Sequence, residues 1–296
     1  MSDAAEKVKS LTIWKGEVDP QPVSGGLSNV NFCVEDGGAK YFVRICEDSP
    51  YHHVFREAEA RVSRAAHEAG ISPALVHYET GAMVFEFKDA RTYDGGDVIA
   101  NIDRLVPLVK RCHREVPKHI RGPAPLFWVF HVLRDYAHVM RDGNSRSLGD
   151  LERYMPIAET LESEIGMIDL VFGHHDLLPA NFIDDGERVW LVDWEYGGFG
   201  SPLFDLAGMA AMAGFSKEDE LKLLEAYYER PADDAIRRKY SAMRCAAALR
   251  ETMWSMVSEL HLTPPPGADY VEYTTENQER FETSLEMFES EFGTAR

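Results

Sequence analysis

Between residues 22 and 87 the apolar positions come in short runs separated by turn residues. Beyond residue 98 they recur mostly at helical spacing. Residues 1–20 read as a short helix and linker. Residues 22–34 read as strand, small-residue turn and strand, and 41–45 as an apolar strand reached through the turn Asp36-Gly37-Gly38. Residues 74–78 and 82–87 read as two further strands joined at Glu79-Thr80-Gly81. One helix interrupts them: Val54, Ala58, Val62, Ala65 and Ala69 share a face of residues 51–69, and Gly70 stops it. A polar stretch, 88–97, then precedes helical patterns at 98–114, 126–141, 150–165, 206–213, 217–228, 232–262 and 270–292. Strands followed by helices predict an α+β protein of two lobes, residues 1–89 carrying an antiparallel sheet and residues 90–296 being mainly helical.

One stretch of the second lobe breaks the helical pattern. Residues 171–206 read VFGHHDLLPANFIDDGERVWLVDWEYGGFGSPLFDL. A short apolar run leads to a loop, His174 to Asn181; a strand (181–183), the turn Asp184-Asp185-Gly186 and a second strand (189–192) follow. An Asp-Gly turn between apolar runs signals a β-hairpin. Such a hairpin sets Asn181 beside Asp193, with Asp176 on the adjoining loop. Asn181 and Asp193 are hard oxygen ligands suited to Mg²⁺, which takes one or two carboxylates and fills its shell from water and phosphate. Asp176, five residues before Asn181, can accept the proton of a hydroxyl attacking a phosphoryl group. The competing reading is a surface hairpin with acidic turns; the order of the groups and their apolar flanks favour the chemical one.

Composition narrows the classes. With 296 residues, 45% of them hydrophobic, the chain can build two packed lobes. No apolar run is long enough for a membrane span, and the polar N-terminus lacks the apolar core of a signal peptide. Cys33, Cys46, Cys112 and Cys245 are scattered without metal-ligand spacing, which fits free thiols in a reducing cytoplasm. The net charge of −19 argues against nucleic acid, where affinity comes from neutralising phosphates, and suits a cationic partner.

The motif His174-x-Asp176 with Asn181, followed by Asp193-Trp194-Glu195 and Phe204-Asp205-Leu206-Ala207, resembles the aminoglycoside phosphotransferase and choline kinase superfamily. Its wording is most similar to choline/ethanolamine kinases. The resemblance implies a bilobal protein-kinase-like fold that uses ATP and Mg²⁺, with Asp176 as catalytic base, Asn181 and Asp193 as metal ligands and Glu195 supporting them. His174 and Asp205 would brace the loop. The turn Ser24-Gly25-Gly26-Leu27-Ser28-Asn29 is by itself an ordinary hairpin turn; it resembles the loop that covers the nucleotide phosphates in choline kinases, which implicates Ser28 and Asn29. No Walker-type phosphate loop is present. Arg44 stands where the family places a cation opposite the phosphates, and Glu57 is the expected partner, with Glu59 as competitor. The main chain of Glu86 and Phe87 matches the segment that contacts adenine.

The aromatic residues of the C-terminal part are by themselves ordinary helix-packing residues. By resemblance Trp254 and Tyr273 would wall a pocket for a small cationic amino-alcohol, most simply choline or ethanolamine, where many relatives have two tryptophans rather than one. Two alternatives remain. One is a kinase for an aminoglycoside, homoserine or methylthioribose. The other is a catalytically silent nucleotide- or amine-binding protein, which would be marked by loss of Asp176, Asn181 or Asp193.

Overall fold

The computed structural model describes residues 2–23, 29–264 and 268–294. The small lobe is a five-stranded antiparallel sheet of order β1-β2-β3-β5-β4: β1 (Gln21–Val23), β2 (Val30–Asp36), β3 (Ala39–Ile45), β4 (Leu75–Glu79) and β5 (Ala82–Glu86). The β2–β3 ladder pairs Phe32 with Val43, and these with Val34, Ala82 and Val84 form one buried face closed by Val8 and Leu11 at α1 (Ser2–Lys9).

Helix α2 (Arg56–Glu68) starts later than the sequence pattern suggests. Pro50 opens a 3₁₀ turn over Pro50–His52, and His53 in left-handed conformation (φ 60°) ends it. The apolar stripe of α2, Val62, Ala65, Ala66 and Ala69, packs into the core of the large lobe. Against the sheet the helix contributes Ala60 to a small buried cluster with Cys46 and Met83.

The large lobe contains α3 (Gly95–Ala100), α4 (Ile102–His119), α5 (Val129–Asp142), α6 (Leu148–Ile165), α7 (Pro202–Ala213), α8 (Lys217–Tyr228), α9 (Asp234–His261) and α10 (Tyr270–Phe292). Among the described residues no helix is long and apolar enough to cross a membrane. Helix α9 is buried from Tyr240 to Ser258, with α5, α6, α7 and α10 packed against it.

Two small sheets interrupt the helices. Strand β6 (Arg91–Thr92) pairs with β8 (Phe182–Asp184), which pairs with β9 (Val189–Leu191). The hairpin is present as read, but its turn is longer than a two-residue Asp-Gly turn: Asp185 spans it by accepting the backbone N–H of Glu187 and of Arg188. The second sheet pairs β7 (Val171–Gly173) with the glycine-rich β10 (Gly198–Gly200). Glycine is required at both ends of β10. A Cβ at Gly198 would lie 2.8 Å from the Pro125 carbonyl oxygen, and one at Gly200 would lie 2.4 Å from His175.

Candidate active site

The loop from His174 to Asn181 is held from beneath by one carboxylate. Asp205, in the first turn of α7, accepts the backbone N–H of His175 (2.6 Å) and of His174 (2.9 Å), and His113 Nε2 donates to it at 2.9 Å. All of these groups are buried. Burial opposes ionisation of Asp205, but the His113 bond and the neighbouring histidines outweigh it and hold its pKa well below the usual carboxylate range. The two histidines tie the loop onward: His174 Nε2 donates to the Val192 carbonyl at 2.9 Å, and His175 Nδ1 to the Tyr196 carbonyl at 3.0 Å. Burial lowers the pKa of both imidazoles, that of His175 to about 4, so they act as neutral struts. This scaffold fixes two unfavourable backbone conformations, His175 at φ 62° and Asp193 at φ 69°.

Above the scaffold, Asn181 and Asp193 come together as the hairpin requires. Val192 N–H donates to the Asn181 carbonyl at 3.0 Å. The Asn181 amide nitrogen donates to the Asp176 backbone carbonyl (2.8 Å) and carboxylate (3.1 Å), which leaves the amide oxygen for another partner. Burial pushes the Asp176 carboxyl well above the ordinary range; Arg250 opposes this, and Glu251, Asp193 and Glu195 add to it. A carboxylate so placed has raised proton affinity, as a general base needs.

Asp193 meets the small lobe directly. Arg44 on β3 makes a two-armed pair with it, Nη1 to Oδ1 at 2.7 Å and Nη2 to Oδ2 at 2.9 Å. Arg44 also donates to Glu59 at 2.9 Å. Glu59, and not Glu57, is therefore the partner of Arg44. The Glu59 side chain is fully buried, whereas that of Glu57 is 80% exposed and pairs with Arg61. The two glutamates are two residues apart on a helix, so they cannot share a face.

A second cation, Arg56, was not singled out from sequence. It donates to Glu59 (2.5 Å), Glu195 (2.9 Å), the Asn29 side chain (2.9 Å) and the Glu47 carbonyl (2.9 Å). Asn29 is thereby held just before β2; Ser28 lies outside the described residues. Burial, with help from Asp193, raises the Glu195 carboxyl to about 7. The backbone N–H groups of Glu86 and Phe87 are already engaged, with the Ala74 and Lys40 carbonyls.

Further along, Trp254 on α9 donates to the Tyr196 hydroxyl at 3.0 Å. Trp254, Tyr196, His52 and Glu195 line a cavity of about 180 Å³. Burial lowers the His52 pKa to about 3, so this wall carries no positive imidazole. Tyr273 stands edge-on to Trp254, with ring centres 6.1 Å apart, and its hydroxyl donates to Glu251 at 2.7 Å rather than lining that cavity. Glu251 also pairs with Arg250, whose guanidinium lies 4.3 Å from the centre of the Tyr196 ring. Arg250 too was absent from the sequence expectations; a charged pair inside the apolar stretch 246–257 is the signal that would have found it.

The donor set suits Mg²⁺. Asn181 offers an amide oxygen, Asp193 a carboxylate kept ionised by Arg44 against the effect of burial, and Glu195 a second carboxylate nearby. Among the described residues no three His, Cys, Asp or Glu side chains form a metal site by themselves. A Mg²⁺ ion completed by water and phosphate oxygens needs no such group.

Comparison with known proteins gives one consistent outcome. The family model described as "Phosphotransferase enzyme family" matches residues 19–249. Protein LicA of Haemophilus influenzae is 24% identical over 255 residues, covering 80% of this chain and 73% of that protein. Choline kinase B2 of Caenorhabditis elegans is 28% identical over 214 residues, covering 65% of this chain and 57% of the relative. The crystal structure of a choline/ethanolamine kinase family protein from Mesorhizobium loti superposes with a TM-score of 0.75 at 25% identity, covering 97% of this chain and 96% of that one.

Proposed function

The chain belongs to the phosphotransferase enzyme family, and from that premise we propose that it transfers the γ-phosphoryl group of ATP to the hydroxyl of a small amino-alcohol, with choline and ethanolamine as the first acceptors to test. The observation that carries this reading is the meeting of Asp176, Asn181 and Asp193 on one loop and hairpin, opposite Arg44 of the sheet. The names of the relatives, choline kinase among them, support the acceptor class.

Asp176 orients the acceptor hydroxyl and takes its proton at the carboxylate as the new P–O bond forms and the bond from the γ-phosphorus to the bridging oxygen breaks, releasing ADP. Asn181 holds Asp176 in place through its amide nitrogen. Asn181 and Asp193 would hold Mg²⁺ with Glu195 in support; bound there, the ion supplies charge neutralisation for the phosphates. Arg44, positioned by Glu59, adds positive charge from the sheet. Arg56 ties Asn29, Glu59 and Glu195 into one network, so that Asn29 and the metal face share a support. The ammonium of the acceptor would lie in the cavity of Trp254, Tyr196 and Glu195, where His52 is neutral and the lining Arg56 is already paired with Glu195 and Glu59.

An ATP-consumption screen with Mg²⁺ over choline, ethanolamine, homoserine, methylthioribose and kanamycin tests the reading. Turnover on the amino-alcohols is the expected result. Turnover confined to kanamycin would overturn the acceptor class, and ATP binding without transfer to any of the five would favour a silent binding protein.

A further inference from the structure

The cavity of about 180 Å³ has two kinds of wall, and they are not equally open. Its aromatic wall holds Trp254 and Tyr196, each only 7% exposed. Its oxygen wall holds Glu47, Asp48, Ser49 and Glu195, of which Glu47 and Asp48 are exposed. A trimethylammonium group has no N–H and binds through aromatic faces laid against its methyl groups. A primary ammonium carries three N–H donors and binds through oxygen atoms. The wall that is available therefore decides between the two.

The aromatic faces are largely taken. The His52 ring lies 4.9 Å from that of Trp254, centre to centre, with the planes 32° apart. Flat rings that close and that nearly parallel must overlap, because side by side their edge atoms would collide. His52 thus covers one face of the indole. Tyr270 and Tyr273 stand nearly perpendicular to it at 6.0 and 6.1 Å, and its Nε1–H is bonded to Tyr196. The Tyr196 ring in turn carries the Arg250 guanidinium 4.3 Å from its centre, so it already holds a cation.

Hydrogen bonds fix His52 in that place. Nε2 donates to Ser258 Oγ at 3.1 Å, since that hydroxyl gives its own hydrogen to the Trp254 carbonyl, and Nδ1 accepts from the Tyr136 hydroxyl at 3.3 Å. With both nitrogens engaged, the ring offers a substrate amine no lone pair. The oxygen wall is held differently. Asp48 is anchored through one oxygen, Oδ1, which accepts the Arg56 backbone N–H at 2.7 Å.

We propose that His52 is a specificity residue: by covering the indole it closes the aromatic wall to a quaternary ammonium, and the substrate's cation is a primary ammonium held by N–H···O bonds at the oxygen wall. This rests on the amino-alcohol kinase reading and deepens it, setting ethanolamine above choline. A site that hydrogen-bonds an N–H rejects the analogue that lacks it far more strongly than an apolar pocket rejects an extra methyl group.

Ethanolamine, its N-methyl and N,N-dimethyl derivatives and choline form a series in which methyl groups replace N–H donors while the hydroxyl and the positive charge stay. On the full chain with Mg²⁺ and ATP, kcat/KM should fall along the series, with choline at least about tenfold below ethanolamine. His52→Ala uncovers the indole and should raise choline relative to ethanolamine by about fivefold, whereas His52→Phe, which keeps a ring there, should retain the wild-type order. A merely structural role would lower turnover on all four substrates alike and leave their ratio unmoved. A wild type that uses choline as well as ethanolamine overturns the proposal, whatever the variants do. So does a His52→Ala chain that melts like the wild type and keeps the wild-type ratio. Both of those outcomes leave the kinase reading standing. Turnover on none of the four, with ATP still bound, would sink that reading and this proposal with it.

Discussion

Two clusters of charge flank the loop from His174 to Asn181, and they differ in how complete they are. Beneath it, Asp205 collects two backbone N–H groups and His113, and every partner it needs lies within the fold. Above it, Asp193 and Glu59 are neutralised by Arg44, and Glu59 and Glu195 by Arg56, in pairs that substrate and metal would have to share. The lower cluster is a finished piece of architecture whose value is stability and the strained conformations it maintains. The upper one uses guanidinium groups against the same carboxylate that would later face a cation. A site that must accept a highly charged ligand stays folded without it by pairing its own charges, and the cost is that those pairs loosen on binding.

Substitutions can sharpen that contrast. The largest effect is expected at the boundary of the two clusters. Asp176→Asn should lower kcat by roughly 10²–10⁴-fold, the usual scale of general-base catalysis, while nucleotide titration shows ATP still bound. Near-normal turnover would remove Asp176 from the chemistry.

Next comes the lower cluster. Asp205→Ala leaves buried donors on His174, His175 and His113 unpaired and should lower unfolding stability by about 3–5 kcal/mol in a denaturant titration. Because the folded pKa of Asp205 is depressed, its contribution is present above the ordinary carboxylate value and disappears as pH falls through the folded value. The acid side of the wild-type stability profile should therefore flatten in the variant.

The upper cluster should respond in catalysis more than in stability. Glu59→Gln is expected to reduce kcat/KM for ATP by at least about tenfold, since Arg44 and Arg56 both lose a charged partner. Glu57→Gln, on the solvent side of the same helix, should alter stability by no more than about 0.5 kcal/mol and leave kinetics unchanged. If the two variants behave alike, the distinction between the two faces of α2 fails.

The two clusters also differed in how readily they could be read from sequence. The hairpin was legible because Asp-Gly turn chemistry between apolar runs fixes which residues meet, and Asn181 lies beside Asp193 as that pattern requires. Helix α2 was legible as a helix, but its start was not: Pro50 and a left-handed His53 make a tight turn that mimics helical spacing. The choice between Glu57 and Glu59 depended on which side of α2 faces the sheet. That is a tertiary property, since both glutamates flank the same stripe. Arg56 and Arg250 escaped notice for a related reason. A single arginine in a sequence reads as surface, and only the fold reveals that each is buried among acceptors or aromatic rings. Strand β10 was hidden because glycine, needed there for close approach to Pro125 and His175, is also the commonest mark of a loop.

Helix α2 belongs by sequence to the small lobe and by packing to the large one, and this has a mechanical consequence. Its apolar stripe is rooted in the large core, as is the hairpin that carries Asp193, whereas Arg44 travels with the sheet. The sheet joins that body at three places, residues 46–55 and 69–74 on either side of α2 and residues 88–90 between the Phe87–Lys40 and Arg91–Asp184 tethers. If the sheet tilts on those links to grip a nucleotide, Glu59 and Asp193 stay still together and the Arg44 guanidinium slides between them, as a single pawl moves between two fixed teeth.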